Sequence, residues 1–211
     1  MIQKQKKQNN SSITRRINRI QPSATLTISA KAMELRAQGL DIISLSQGEP
    51  DFDTPEHIKK GVIQAINRGA TKYTAVDGTP EFKEAIINKF SKDNHLIYQP
   101  ENILVSSGAK QTCYNLFQSV LEEGTEAIVV SPYWVSYPDM VILTGATPVI
   151  LETTPQNNFK LNTVDLRSLL NDQTRLLILN SPSNPTGFTY SKDQYQEIGE
   201  VLKDFPNVLI A

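Results

Sequence analysis

Across 211 residues there is one cysteine, Cys113, and there are two histidines, His57 and His95, with no Cys or His neighbour at ligand spacing. A lone cysteine closes no internal disulfide and so sparse a set makes a poor transition-metal site, which suits a reducing compartment and a cytoplasmic location. No apolar run approaches the roughly 20 residues that a membrane-spanning helix needs. Net charge is also almost missing, since 21 Lys plus Arg stand against 22 Asp plus Glu, and a balance of −1 offers no field for gripping nucleic acid or an anionic membrane. No internal repeat and no long low-complexity stretch occurs. Acidic residues are absent before Glu34, whereas Lys4, Lys6, Lys7, Arg15, Arg16, Arg19 and Lys31 are basic. An organelle transit peptide has this charge bias, but the segment to about Asn10 is short, rich in Lys, Gln and Asn, and not amphipathic, so it reads as a solvated arm.

What is present describes a globular protein. Hydrophobic residues make up 39% and charged residues 20%, enough apolar side chain for a sizeable core. At ~150 residues per domain the length corresponds to roughly one and a half domains.

Periodicity supplies the elements. Ile28, Ala32 and Leu35 fall at i, i+4, i+7 between residues 24 and 38, with Gly39 placed for a left-handed C-terminal cap, and this predicts a helix. A short strand is expected at 41–46. Thr54-Pro55 and Thr79-Pro80 each pair a hydroxyl N-cap with proline at the first helical position. Ile58, Val62 and Ala65 give the first of these helices a stripe to bury, as Phe82, Ile86 and Phe90 do for the second. After residue 100, short continuous apolar runs at 103–105, 127–130, 149–151, 176–179 and 208–211 predict strands covered on both faces. Helical segments at 109–122, 134–143, 163–170 and 191–204 alternate with them. The expected fold is α/β, a mostly parallel sheet with covering helices. Residues 1–45 read as an N-terminal arm and small-domain segment, and 46–211 as an incomplete large domain. The run 208–211 reads as a central strand, and open α/β sheets bind ligands outside the carboxyl ends of their strands, so the sequence is expected to stop inside its own active site.

Three junctions after buried runs could carry chemistry. Ser106-Ser107-Gly108-Ala109-Lys110-Gln111 joins a strand-like run to a helix, where backbone amides and the helix dipole favour an anion. A plain strand-to-helix turn is the bland reading. Lys110 weighs against it, because a cation in a first helical turn opposes the dipole by roughly 0.3 to 1 kcal/mol when exposed, a cost that a bound anion offsets. Neither G-x-G-x-x-G nor G-x-x-x-x-G-K-[ST] occurs there. Ser131-Pro132-Tyr133-Trp134 places the only tryptophan of the chain where such a sheet receives ligands, with a face able to stack on a flat ring, although a core tryptophan is the ordinary alternative. In Asn180-Ser181-Pro182-Ser183-Asn184-Pro185-Thr186-Gly187, prolines on both sides of Asn184 restrain the backbone and aim one amide side chain. Cys113 shares a helical stripe with Leu116, Phe117 and Val120 and reads as core, and both histidines read as surface groups.

Together with Gln47-Gly48-Glu49-Pro50-Asp51-Phe52, Lys72-Tyr73 and Ser131 to Pro138, these loops resemble, in order and spacing, the class I pyridoxal-phosphate-dependent aminotransferases. The likeness is strongest to bacterial aspartate aminotransferases and covers residues 13–211, the first half of such an enzyme. It implies the fold type I architecture of pyridoxal 5'-phosphate (PLP) enzymes. It also implies roles: backbone amides of Gly108, Ala109 and Lys110 on the cofactor phosphate, Trp134 on the pyridine ring and Asn184 on its phenolic oxygen. Tyr73 would reach the phosphate of a neighbouring subunit, which implies a homodimer. Gly48 would contact the substrate α-carboxylate, with Trp134 and Asn184 also at the substrate, and Lys110 would recognise the distal carboxylate of aspartate or glutamate. Ser131-Pro132 and Asn184-Pro185 match bonds that are often cis in the family.

The resemblance also implies what is not here. The Schiff-base lysine, the acid that pairs with the pyridinium and the arginine for the α-carboxylate all lie beyond the Asn-Pro-Thr-Gly loop in the family. Here only Lys192 and Lys203 follow it, as solvated helix charges, so no catalytic residue is assigned. The expectation is the N-terminal part of an enzyme acting on amino-acid and 2-oxo-acid substrates, these 211 residues binding cofactor weakly and lacking turnover. Two alternatives stand beside it. One is a catalytically silent, aminotransferase-like regulatory or interaction domain, although no helix-turn-helix pattern precedes the resemblance. The other is a different reaction on the same cofactor, such as elimination or a related synthase step.

Overall fold

The computed structural model describes residues 14–20, 22–46 and 48–211, so the basic arm expected up to Asn10 lies outside the described residues. The chain forms two compact units. Residues 113–211 with the described residues before Pro22 make one, and Pro22–Thr112 the other.

The first unit is a parallel sheet between two helical layers. Its strands are β1 (Glu126–Val130), β2 (Thr147–Leu151), β3 (Thr174–Ile178) and β4 (Leu209–Ile210), in spatial order β2-β1-β3-β4. Ile128 stands opposite Val149 on one side and Leu177 on the other, and Leu177 opposite Ile210. The period of two sorts the side chains. Ala127, Val129, Leu176 and Ile178 face one core with Phe117 and Leu121 from the segment before β1 and with Met140 and Val141. Ile128 and Leu177 face the opposite core with Leu166, Leu170, Ile198 and Leu202. The crossover helices explain that sorting. Helix α5 (Ser136–Thr144) carries the chain from β1 out to β2 over the first face, while α6 (Thr163–Leu169) and α7 (Lys192–Leu202) carry it back past β1 to β3 and β4 over the second. A reversal of direction combined with right-handed crossovers requires that change of face. The reversal makes the gap between β1 and β3 the topological switch point.

The apolar runs at 127–130, 149–151 and 176–179 thus fall on β1 to β3, and the central pair is buried as expected. The run 208–211 does not form a central strand in this sheet: β4 has two residues at the edge, with Leu209 and Ile210 49% and 56% exposed.

The second unit contains α1 (Ala24–Ala37), α2 (Glu56–Asn67) and α3 (Pro80–Asn94), and it ends in the first turn of α4 (Ala109–Val120), whose remaining residues belong to the sheet unit. Gly39 adopts φ +84° after α1 and Leu40 N–H donates back to the Leu35 carbonyl at 3.2 Å, the left-handed cap read from the sequence. Thr79 caps α3 through its hydroxyl, with Pro80 at the first position. Thr54 does not cap α2: the N-cap is Pro55, which has no side-chain acceptor.

The segments 41–46 and 103–105 are not strands. An extended segment becomes a strand only when a neighbour takes its backbone hydrogen bonds. Among the described residues of the second unit only Ala32, Lys83 and Ile103 are buried. The stripe of α2 is accordingly open, with Ile58 and Val62 exposed. Among the described residues no helix is long and apolar enough to cross a membrane, and no group of three or more His, Cys, Asp or Glu side chains could hold a metal ion.

Candidate functional site

In the sheet unit a hollow opens at the switch point, where the loops after β1 and β3 leave the sheet. Pro132 and Tyr133 border it from the first loop, Ser183 and Asn184 from the second, and Tyr137 and Tyr190 close its sides. Its free volume, about 20 Å³, is that of one water molecule. The described lining contains no carboxylate, and its one charged residue is Lys160, whose ammonium donates to Gln194 Oε1 at 3.0 Å.

Backbone geometry fixes both loops. The peptide bonds Ser131-Pro132, Ser181-Pro182 and Asn184-Pro185 are cis, two of them matching the resemblance and the third unforeseen. Ser131 N–H donates to the Leu151 carbonyl at 2.9 Å, and the Thr153 hydroxyl donates to the Ser131 carbonyl. In the second loop the Gly187 amide donates to the Ser183 carbonyl at 2.7 Å with Gly187 at φ +73°, and the Ser183 amide donates to the Phe188 carbonyl at 2.9 Å. Asn180 is a positioning residue that the sequence reading passed over: its Oδ1 accepts from the Asn184 amide at 2.8 Å. The available signal was a second asparagine four residues before the first, at the end of a buried strand.

Trp134 precedes α5 instead of starting a helix, and its carbonyl accepts from Tyr137 N–H at 3.0 Å. The two rings meet edge to face, 5.3 Å between centroids. Trp134 is half-buried against the first core. Burial pushes the Tyr137 hydroxyl above its ordinary value, with the nearby Cys113 adding to it, and burial also raises the Tyr190 hydroxyl. Cys113 itself packs against the first core, half-buried, and burial raises its thiol. Asn184 is exposed.

In the second unit, a tight turn precedes α4. Gly108 adopts φ +82°, and a Cβ added there would meet nothing within 4 Å. The Gly108 carbonyl takes the amides of Gln111 and Thr112, and the Gln111 side chain turns back to accept from Ser107 N–H. Ala109 opens the helix. The amide of Gly108 is engaged with the Ser106 carbonyl at 2.9 Å. Of the other residues singled out, Gly48 lies exposed in irregular backbone, Tyr73 is fully exposed, and Gln47 lies outside the described residues.

The sequence reading also overlooked what stands behind that turn. Lys83 of α3 is buried and pairs with the Asp77 carboxylate. The hydrogen bond from Lys83, helped by one from the Asp77 backbone, holds the Asp77 carboxyl below its ordinary 3.8. A lowered value in the folded protein means that the unfolded chain binds this proton more tightly. The contribution to stability is therefore complete above about pH 4 and disappears as pH falls through the depressed value. Asp77→Asn is expected to flatten the acid limb of the stability curve below that pH, as measured by urea unfolding at a series of pH values. An acid limb identical to that of the wild type would show that the pair has no such role.

Three kinds of relative resemble this chain. The family model described as aminotransferase class I and II matches residues 40–211. A probable aspartate/prephenate aminotransferase of Rickettsia felis is 48% identical over 93% of this chain and 48% of its own length, and an aspartate aminotransferase of Bacillus sp. YM-2 is 46% identical over 94% and 50%. Among solved structures, an aspartate aminotransferase from Rhizobium meliloti superposes with a TM-score of 0.89 at 42% identity, over 95% of this chain and 50% of that one. One from Thermus thermophilus with maleate gives 0.90 at 42%, over 95% and 52%. The chain spans about half the length of the relatives it matches. With its parallel sheet, its switch-point hollow and a family match over most of its length, the chain belongs to the class I and II aminotransferases.

Proposed function

We propose that these 211 residues are the N-terminal part of a PLP-dependent aminotransferase that moves an amino group between an L-amino acid, aspartate or glutamate first, and a 2-oxo acid. The observation that carries this reading is the hollow at the switch point, bordered by the Pro132-Tyr133 and Ser183-Asn184 turns with no carboxylate among its described lining. Relatives named for aspartate and prephenate support the substrate class.

The residues present fit a phosphorylated pyridine. Residues 106–112 contain hydroxyls, amides and one ammonium but no acid, a donor set suited to a dianion. When bound, PLP supplies an electron sink next to the substrate Cα. The chain's own groups bind and orient it. The backbone amides of Gly108, Ala109 and Lys110 would hold its phosphate. Trp134 covers the ring face and excludes water from it. Asn184 would donate its side-chain amide to the phenolic oxygen, from a backbone whose N–H is held by Asn180 Oδ1. Gly48 offers backbone to the substrate α-carboxylate, and the Lys110 ammonium meets the distal carboxylate. Tyr73 serves the phosphate site of the second subunit of a homodimer. The same reading divides the protein into an arm and small-domain segment at 1–45 and a large cofactor domain from 46 onward, in a cytoplasmic enzyme without nucleic-acid or membrane partners. None of the described lysines after Asn184 is suited to Schiff-base chemistry, because Lys192 and Lys203 are exposed on or beside α7. These 211 residues therefore hold cofactor and substrate without supplying the amine.

Trp134 is the only tryptophan, so its emission reports on its own ring face. Titration with PLP is expected to quench it to saturation. Pyridoxal, which lacks the phosphate, should bind at least about tenfold more weakly. Emission indifferent to PLP, or equal affinity for the two ligands, would refute the assignment.

A further inference from the structure

Lys83 is the only charged side chain buried among the described residues, 8% exposed. Its position needs a cause. It is the fourth residue of α3, where a cation opposes the helix dipole, and taking an ammonium out of water costs several kcal/mol unless a partner compensates. A lysine on a helix surface ordinarily extends its stem toward solvent. This one turns inward to the carboxylate of Asp77.

The turn that it reaches has a second contact. The Asp77 carbonyl accepts from Val105 N–H at 3.1 Å. Gly78, at φ +111°, lies so close to the same residue that an added Cβ would stand 2.5 Å from Val105 Cγ2. Its amide closes on the Ala75 carbonyl at 3.2 Å, so the turn is itself a closed unit. Val105 leads directly into Ser106, Ser107 and Gly108, whose backbone partners were given above. With the 103–105 segment outside any ladder, no strand neighbour holds this entry to α4.

We propose that the Lys83–Asp77 pair is a positioning device for the phosphate-binding turn: by fixing the 75–79 turn against Val105, it sets where the amides at Gly108 to Lys110 begin. Both residues act through the backbone and touch neither cofactor nor substrate. The proposal rests on the reading of residues 108–110 as the phosphate site.

The test uses the full 211-residue chain and three variants: Lys83→Met, which keeps the stem and removes the charge, Lys83→Arg, which keeps the charge, and Asp77→Asn, which keeps the shape of the acceptor. Two measurements are made on each. Amide hydrogen exchange at Val105 and Ser107 to Lys110 needs no ligand. Binding of PLP and of pyridoxal is read from Trp134 emission. In Lys83→Met, exchange at Val105 and the turn should accelerate about tenfold while the amides of β1 and β3 stay unchanged. PLP affinity should fall about tenfold and pyridoxal affinity stay within about twofold. Lys83→Arg should restore both. If Lys83→Met fails to fold, Asp77→Asn should show the same pattern at smaller amplitude. Unaltered exchange at the turn, or equal weakening of PLP and pyridoxal, would overturn the positioning role even where the wild type binds PLP well. A wild-type chain that takes up no PLP would instead sink the phosphate-site reading beneath it, and the purpose assigned to the pair with it.

Discussion

Phe117→Ala is expected to lower the unfolding free energy by about 3 to 5 kcal/mol, the ordinary cost of emptying a fully enclosed aromatic site. Phe117 is 0% exposed and belongs to one core cluster with Leu121, Met140, Val141 and the β1 and β3 side chains Ala127, Val129, Leu176 and Ile178. Those neighbours come from helices and strands already fixed by the ladder and the other core, so the cavity has little chance to collapse. Against a total stability of about 5 to 15 kcal/mol for a domain, the loss is a large fraction of the whole. Phe82→Ala is the control. The residue type is the same, but Phe82 is 53% exposed on α3, so its loss should cost less than about 1 kcal/mol. Urea unfolding of both variants decides the matter: equal costs would mean that Phe117 does not occupy the core described.

That contrast also shows where a pattern in the chain stops being informative. Phe82 and Phe117 both lie on helical stripes, and each stripe marks a face that gains from burial. Whether a facing layer exists is not a local property. α4 has the sheet before it, whereas Ile58 and Val62 on α2 have none among the described residues of their unit. The strand expectations fail for a related reason. Ile103 to Val105 is as apolar as Ala127 to Val130, yet only the second pairs with neighbouring strands. Helix ends were more legible, because a cap is made by residues three or four positions apart. Thr79 and Gly39 behave as their types dictate, and Thr54 fails because Pro55 takes the cap position.

The candidate site divides along the same line. Trp134 and Asn184 could be picked out because each follows a buried run, but of the two only Asn184 lines the hollow between the adjacent β1 and β3, where Tyr133 stands in place of its neighbour Trp134. The order β2-β1-β3-β4 is not written in any single segment, so nothing local said that these two loops share a crevice while the loop after β2 does not. Asn180 and Lys83 were missed for a different reason. Each acts on a neighbour's backbone, so neither matches a ligand-binding residue type at ligand spacing. The stretch Asp77-Gly78-Thr79-Pro80 followed by Lys83 carried the signal, a turn and a cap with a lysine where the helix dipole disfavours one.

Gly78→Ala makes that hidden support measurable, with an expected loss of about 2 to 4 kcal/mol. Part of it is conformational. At φ +111° an L-residue is strained in a way that glycine is not, at about 1 kcal/mol or more. The rest is steric: the new methyl would stand 2.5 Å from Val105 Cγ2 and 3.0 Å from its Cβ, and overfilling of this kind costs about 1 to 3 kcal/mol. The two contributions separate experimentally. Val105→Ala deletes the nearer atom but leaves the Cβ and the backbone angle as they are. The double variant should therefore recover about 1 kcal/mol relative to the sum of the single ones. Because Val105 is also bonded to Asp77 and runs into the turn at Gly108, the same recovery should be visible in PLP affinity, which Gly78→Ala lowers and the second substitution partly restores. Strict additivity in the unfolding cycle would mean that the close approach of Gly78 to Val105 is not what requires glycine there, and that the turn is held to the 103–105 segment by the Asp77 carbonyl alone.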